Sequence, residues 1–428
     1  MTRAPSNLGA SPDILIVGAG PSGTALGMAL AEVAPLLAER TLVIDRATHP
    51  REKCCGGGLT GRMQDELDRL GVSLEPVPQV IIRRAFSVYG TRRFEVALER
   101  PFIVIRRREL DAQLATTLRD RGVALSEGEA YVEHASLEDG RLAVRTTRGS
   151  YNVRALIAAD GAGSKIARGL ERTRRPKVHL CQADVPLGEG LDPEVMVYDF
   201  SELEGDLRGY LWIFPTPLPD PEGLGRPMAN VGVMQVGPTR AGGGLVPILE
   251  RMLSPYGMTL GATKPWFHPE WAFDWRYPFS QPGILAVGDA AGIDPVFGEG
   301  LSQCLEYAWL AAAELADGLS GGGTRFSGYR RRVLTSELGL ELLTLQIGAH
   351  GLYGAADNRL WTRFTFRDAW LSELMARQGE GRALLHRSAL PVGLRALRYL
   401  LGGHAVSRAR AAARGRQHLR DPGAAAAV

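Results

Sequence analysis

The residues best equipped for chemistry are the two thiols of an early loop, Arg51-Glu52-Lys53-Cys54-Cys55-Gly56-Gly57-Gly58-Leu59. A thiol can give or take a proton, and three successive glycines leave backbone free to lie flat against a planar ligand. On its own the segment reads equally well as a flexible loop with two incidental thiols. Three acids each stand at the end of an apolar run as nucleotide-contact candidates: Asp45, Asp160 in Ala159-Asp160-Gly161 (alone a common turn), and Asp289 in Gly288-Asp289-Ala290-Ala291-Gly292. A carboxylate at the end of a buried strand can accept hydrogen bonds from sugar hydroxyls. Further on, Gly209-Tyr210-Leu211-Trp212-Ile213-Phe214-Pro215 places three aromatic rings at period two, hence on one face of a strand. Such a wall is usually core, and it also suits a long apolar substrate. Arg106, Arg107 and Arg108 sit where a strand runs into a helix, as a solvated charge run or as a source of one phosphate ligand.

These groups need elements to hold them, and Asp13 to Arg46 supplies the first. Ile14 to Val17 is an apolar run suited to a buried parallel strand, followed at once by Gly18-Ala19-Gly20-Pro21-Ser22-Gly23. Helical spacing follows to Ala34, and a second apolar run from Thr41 ends in Asp45. In this arrangement Gly18 allows the turn, Gly20 lets backbone approach a diphosphate, and Gly23 lets helix and strand pack closely. The phosphates then face free N–H groups at the helix start, and Asp45, about 20 residues on, can take the ribose. Nucleotide binding follows from the whole unit, not from the glycines alone.

Thr60 to Leu70 reads as a short helix, Pro76 to Pro101 as β structure, and Leu110, Leu114 and Leu118 as one helix face. Leu142 to Val144, Ala155 to Ala159 and Gly283 to Val287 read as strands. Between Arg174 and Trp275, short strands separated by Pro and Gly predict a separate sheet domain. Leucines from Phe326 to Leu345, and the aromatic stretch from Leu360 to Met375, keep helical spacing over that domain.

At 428 residues the chain has room for two or three domains, and its net charge of +3 does not point to nucleic acid. No apolar run reaches the roughly 18 to 20 residues that span a bilayer. Polar Met1 to Pro12 leads straight into the first strand, which predicts a cytoplasmic protein without a signal peptide. Cys54, Cys55, Cys181 and Cys304 form no zinc spacing, so no metal site is expected.

Taken together, these segments resemble the geranylgeranyl reductase family, within the FAD enzymes built like p-hydroxybenzoate hydroxylase. The resemblance runs from Asp13 to Ala316, about seven tenths of the chain, with the segments in family order. Gly18, Gly20 and Gly23 with Asp45-Arg46 match its ADP-binding motif, Arg107 the arginine before a helix, and Asp160-Gly161 the DG motif. Gly288-Asp289, Pro295 and Gly298-Glu299-Gly300-Leu301 match the ribitol-binding motif. Cys55-Gly56-Gly57 looks like the family's loop beside the flavin, and Tyr210-x-Trp212-x-Phe214-Pro215 with Asn230-Val231-Gly232 like its YxWxFP…NVG signature. Thr216, where a lysine is common, and a long loop up to Ala229 depart from the pattern.

The resemblance implies an α/β fold, with a Rossmann-type FAD-binding domain (1–75, 102–173, 280–323), an inserted antiparallel β-sheet substrate domain (76–101, 174–279) and a C-terminal helical region (324–428). It implies an FAD-dependent reductase that saturates carbon–carbon double bonds of a polyprenyl or similar lipid, with Cys55, Tyr210 and Trp212 at the reacting end. The electron donor would be NAD(P)H or another reductant. Two alternatives stay open on this fold: a monooxygenase acting on an apolar or aromatic molecule, and an electron carrier to quinone. The carrier is disfavoured by the shortage of cysteines for an iron–sulfur module. Arg382 to Val428 carries nine arginines against the single acid Asp421, with Leu394, Leu397 and Leu401 on one helical face. Peripheral contact with anionic lipid and a solvated tail both fit such an end.

Overall fold

The computed structural model describes residues 12–170, 177–238, 244–354, 359–379, 381 and 384–399. Ile14–Val17, Ala155–Ala158 and Ile284–Ala286 are apolar throughout and lose water on both faces, the condition of central parallel strands. The first sheet runs in the order Ser280–Gln281, Ile284–Ala286, Ala155–Ala158, Ile14–Val17, Thr41–Asp45, Ala124–Glu127. Every neighbouring pair is parallel except the terminal hairpin of Ser280–Gln281 with Ile284–Ala286. Helix Pro21–Val33 packs against both Arg107–Asp120 and Leu301–Ser320. A three-stranded meander, Tyr131–Ser136, Leu142–Thr146 and Ser150–Val153, adds Leu142, Val144 and Val153 to the same core. Of its strands only Leu142 to Val144 is expected from sequence, because the other two carry exposed polar residues and no sustained alternation.

The second sheet has eight strands in the order Trp266–Trp271, Lys177–Pro186, Met228–Val236, Leu211–Thr216, Val195–Asp199, Gln79–Tyr89, Arg92–Ile105, Gly58–Leu59. It is antiparallel except where Val195–Asp199 lies parallel to Gln79–Tyr89, with Met196 opposite Ala85 and Tyr198 opposite Ser87. That junction joins a hairpin from the early chain to the strands of the later one. Strand Arg92–Ile105 does not end at Pro101: it continues to pair Val104 with Gly58, just past the glycine loop, and leads into helix Arg107–Asp120. The edge of the large sheet thus begins next to Cys55.

Period two sorts the later sheet as expected. Tyr210, Trp212 and Phe214 join one buried cluster with Met196, Phe200 and Met234. Leu211 and Ile213 join another, covered by Ile248, Leu249 and Met252 of helix Leu245–Leu253. The leucine stripe after Phe326 is two helices, Tyr329–Thr335 and Glu337–Ala349. Ser336 breaks it by turning extended and capping the second helix, its Oγ accepting from Gly339 N at 3.1 Å. Helices Arg359–Arg367 and Ala369–Gly379 follow, and Phe366 packs against Tyr89 and Phe200 with ring centroids 4.9 Å away in each case. In the basic end, residues 389–399 are helical with Leu394 and Leu397 about half exposed, and Arg395 pairs with Asp368 at 3.0 Å. Leu401, Arg382 and the arginines after 399 lie outside the described residues. Among the described residues no helix is long and apolar enough to cross a membrane.

Phe366 is the main aromatic link between the C-terminal helices and the large sheet. Phe366→Ala is expected to cost about 3–5 kcal/mol and to lower the thermal midpoint clearly. An unchanged midpoint would show that the helical region does not depend on this contact.

Candidate functional site

A cavity of about 860 Å³ opens between the two sheets and is lined by both. At one end stand Gly18, Gly20 and Ser22, where strand Ile14–Val17 turns into helix Pro21–Val33. A Cβ placed on Gly20 would meet nothing closer than Arg51 Nη2 at 3.7 Å and Arg107 Nη2 at 4.0 Å. Free helix-start N–H groups and two guanidiniums therefore face open space, a donor set suited to a diphosphate. Asp45 ends the second strand with its carboxylate buried, accepting from Ala19 N and Ala47 N at 2.8 Å each. Each oxygen keeps a further acceptor position for a ribose. Arg46 lies exposed beside it on the cavity rim.

Of the three arginines at the strand-to-helix junction, only Arg107 lines the cavity. Its Nε and Nη2 donate to the two oxygens of fully buried Asp111 at 2.7 and 3.0 Å, and Arg51 reaches the same carboxylate at 3.1 Å. Arg106 and Arg108 instead pair with Glu52 at the surface. Asp160-Gly161 and Asp289 meet at the cavity's middle, a Cβ on Gly161 lying 3.9 Å from Asp289 Oδ2. The Cys304 thiol donates to Asp289 Oδ1 at 3.8 Å from below. Gly298, Gly300 and Leu301 close this wall at the start of helix Leu301–Ser320.

The glycine loop lies across the cavity from there. Gly57 has φ +78°, and a Cβ on it would sit 1.9 Å from the Ile105 carbonyl oxygen, so only glycine lets the loop pass. Cys55 lines the cavity, its Sγ accepting from Gly57 N at 3.4 Å and its carbonyl accepting from Gln182 Nε2 at 3.3 Å. Cys54 is next to it, its thiol pushed up to about 12, mainly by burial.

Above the loop the large sheet presents Tyr198, Tyr210, Trp212 and Phe214. A Cβ on Gly56 would touch Phe214 at 3.3 Å and Trp212 Nε1 at 3.4 Å, so loop and aromatic wall are in contact. Trp212 is locked: its Nε1 donates to Asn230 Oδ1 at 2.8 Å, and Asn230 Nδ2 donates to Asp184 Oδ1 at 2.8 Å. Gly232 makes room for it, since a Cβ there would fall 2.2 Å from the indole. The Tyr210 hydroxyl donates to the Phe297 carbonyl oxygen, and burial raises its pKa well above that of an ordinary phenol, making it a weaker acid. The polar groups of both residues are thus already engaged.

Sequence reasoning missed the polar half of the wall. Residues His268 and Glu270 of edge strand Trp266–Trp271 and Gln182 of its neighbour line the cavity, and Lys53 reaches across to them. Lys53 Nζ lies 2.8 Å from His268 Nε2. Burial, with Lys53 beside it, holds the imidazole down at about 4. Burial, with Asp289 nearby, raises Glu270 well above an ordinary carboxyl, and its Oε2 has no partner among the described residues. Alternation within Trp266-Phe267-His268-Pro269-Glu270-Trp271 was the available signal.

With this geometry, residues 11–185 match the model of an FAD binding domain. A menaquinone reductase of Mycobacterium tuberculosis is 30% identical over 336 residues, 72% of this chain and 77% of that protein. Digeranylgeranylglycerophospholipid reductase 2 of Methanopyrus kandleri is 30% identical over 340 residues, covering 74% and 80%. Among solved structures, a geranylgeranyl bacteriochlorophyll reductase-like protein of Thermoplasma acidophilum superposes with a TM-score of 0.66 at 20% identity, over 81% of this chain and 90% of that one. A parallel sheet with this phosphate-facing turn and this match defines an FAD-dependent oxidoreductase. Within that class, the chain belongs to the geranylgeranyl reductase family.

The donor set fits FAD from the diphosphate-facing turn to the Asp289 carboxylate. Asp289→Ala should weaken FAD by about 1–3 kcal/mol, roughly 5- to 150-fold, if its carboxylate accepts from the ribitol. Absorbance of the purified variant and a titration with FAD measure this, and full retention of yellow colour would refute the contact.

Proposed function

We propose that this chain saturates carbon–carbon double bonds in a prenyl or prenyl-like lipid, with NAD(P)H or another reductant as electron donor. The observation that carries this reading is the meeting, in one cavity, of the FAD-compatible groups, the Cys55 loop and a buried aromatic wall. The names of the two relatives, a menaquinone reductase and a phospholipid reductase, support a lipid-like substrate. FAD, when bound and reduced, supplies the hydride. The remaining work belongs to the chain. Tyr198, Tyr210, Trp212 and Phe214 offer an apolar face along which an alkene can lie, and the Asn230–Asp184 link keeps Trp212 from turning. An unactivated alkene also needs a proton at its other carbon, and the donor must be held close to it. Tyr210 has its hydroxyl bound to a carbonyl, and the Cys54 thiol, pushed up to about 12, holds its proton tightly. We assign the donor role to Cys55, which lines the cavity beside Gly56 and the aromatic wall.

Anaerobic incubation of the reduced protein with a panel of prenyl lipids, read by mass, tests the reading directly. A gain of two hydrogens per reduced bond is expected, whereas an oxygen-dependent gain of one oxygen atom would replace reductase by monooxygenase. Cys55→Ala should keep FAD but slow reduction about 100-fold or more, while Cys54→Ala should be mild. Equal turnover in wild type and Cys55→Ala would remove the thiol from the mechanism.

An insoluble substrate has to be collected from somewhere, and the basic end is assigned to that task. Leu390, Leu394 and Leu397 are exposed on helix 389–399, and each surface cation adds about 1 kcal/mol of attraction to anionic lipid. Co-sedimentation with anionic liposomes should fall with added salt and with truncation after Arg382. Equal sedimentation of the truncated protein would locate the contact elsewhere.

A further inference from the structure

We propose that Lys53 reloads Cys55 with a proton after each reduction and that His268 positions Lys53 for this task, an inference that rests on the reductase reading of the same cavity. A single residue separates Lys53 from Cys55 in the glycine loop, and both side chains line the cavity. An ammonium group has donors only, so Lys53 Nζ donates to the imidazole, at 2.8 Å from Nε2. That bond is possible because His268 is neutral, burial having lowered its affinity for a proton far below that of a free imidazole. The contact joins the loop to the edge strand of the large sheet, residues 215 apart in sequence. It fixes an otherwise flexible side chain next to the thiols.

The surroundings suit a group that must part with a proton and regain it. Lys53 is half-buried, and burial and the Arg107 guanidinium both make its ammonium a stronger acid than usual. Asp289 and the two neighbouring thiols act in the opposite direction, and Glu270 faces it from the edge strand. The proton balance closes without any further reagent. The Cys55 S–H bond breaks as its proton goes to the alkene carbon, leaving a thiolate. A Lys53 N–H proton then passes to the sulfur, restoring the thiol and leaving a neutral amine. Solvent water, reaching the cavity that Lys53 lines, gives a proton to the amine and leaves as hydroxide, restoring the ammonium.

The scheme predicts a split between the first turnover and later ones. Cys55 starts loaded, so the Lys53→Arg enzyme should perform its first reduction at the wild-type rate. Arginine keeps the charge but does not release a proton, so sustained turnover should then fall by tenfold or more. Both phases are read by mass on the FAD-loaded enzyme, using the prenyl lipid reduced in the panel above. A second measurement needs no lipid. In a Cys54→Ala background, iodoacetamide labelling of Cys55 at neutral pH should slow about tenfold in Lys53→Ala, because the nearby cation that favours the thiolate is gone. Added ethylammonium should restore the rate, and Lys53→Arg should label like the parent. Flavin absorbance checks that each variant is loaded.

Unchanged labelling in Lys53→Ala, or sustained wild-type turnover in Lys53→Arg, would overturn the proposal while leaving Cys55 as the donor. Slowing of both phases of Lys53→Arg by the same factor would also overturn it, since that marks substrate anchoring or structure. Failure of the reductase reading looks different: Cys55→Ala would then reduce at the wild-type rate from the first turnover.

Discussion

At the base of the cavity a carboxylate sits with no water to solvate it. Asp111 is fully buried, and the guanidiniums of Arg107 and Arg51 supply its charge balance. A buried charge that loses its partner costs about 3–5 kcal/mol, so the three groups hold one another strongly. The consequences spread along the chain in both directions. Arg107 is fixed at the start of its helix with one nitrogen facing the Gly20 turn. Arg51 pins the beginning of the loop that carries Lys53, Cys54 and Cys55. The loop's other end is tied where Gly58 pairs with Val104 and Ile105 N donates to the Gly57 carbonyl at 3.0 Å. The reactive segment is therefore a strap fastened at both ends, with its position set by a buried charge on one side and a β-ladder on the other.

How much of this was legible in the sequence depends on the range of the interaction. Strand Ile14–Val17, its glycine turn and Asp45 are local, and local spacing described them correctly. So was the aromatic face, because period two within one strand decides which side Trp212 takes. The parallel pairing of Gln79–Tyr89 with Val195–Asp199 left no trace, since nothing in either segment names its partner. His268 and Glu270 were hidden differently. Their strand begins with exposed Trp266 and Phe267 and carries Pro269 between the two cavity residues, which reads as an edge or a loop. Only pairing with Lys177–Pro186, with Leu180 opposite His268 and Val178 opposite Glu270, turns that row inward.

The cavity has two unlike halves as a result. Strands Leu211–Thr216 and Val195–Asp199 supply rings, whereas Lys177–Pro186 and Trp266–Trp271 supply Gln182, His268 and Glu270, with Asn230 bonded to the Trp212 indole and Asp184 to Asn230. Burial acts on both halves in the same sense, disfavouring charge. It raises Glu270 and Asp184 and lowers His268, in each case favouring the neutral form. A polar wall on which charge is disfavoured can orient hydrogen-bonding groups with less of the desolvation cost of free ions.

Under the proposed alkene reduction, a group able to protonate carbon must carry a proton, reach the alkene, and not have that proton committed elsewhere. Burial favours the protonated form of Glu270, but its row lies on the far side of Gln182 from the rings that would hold the alkene. Tyr210 lies among those rings, yet its proton is given to the Phe297 carbonyl. Among the described residues the Cys55 thiol meets the loop's own backbone as an acceptor, from Gly57 N, which leaves its proton able to point into the cavity. A thiol that has lost its proton there needs a cation nearby more than it needs water. The strap that positions Cys55 supplies one two residues earlier, in Lys53.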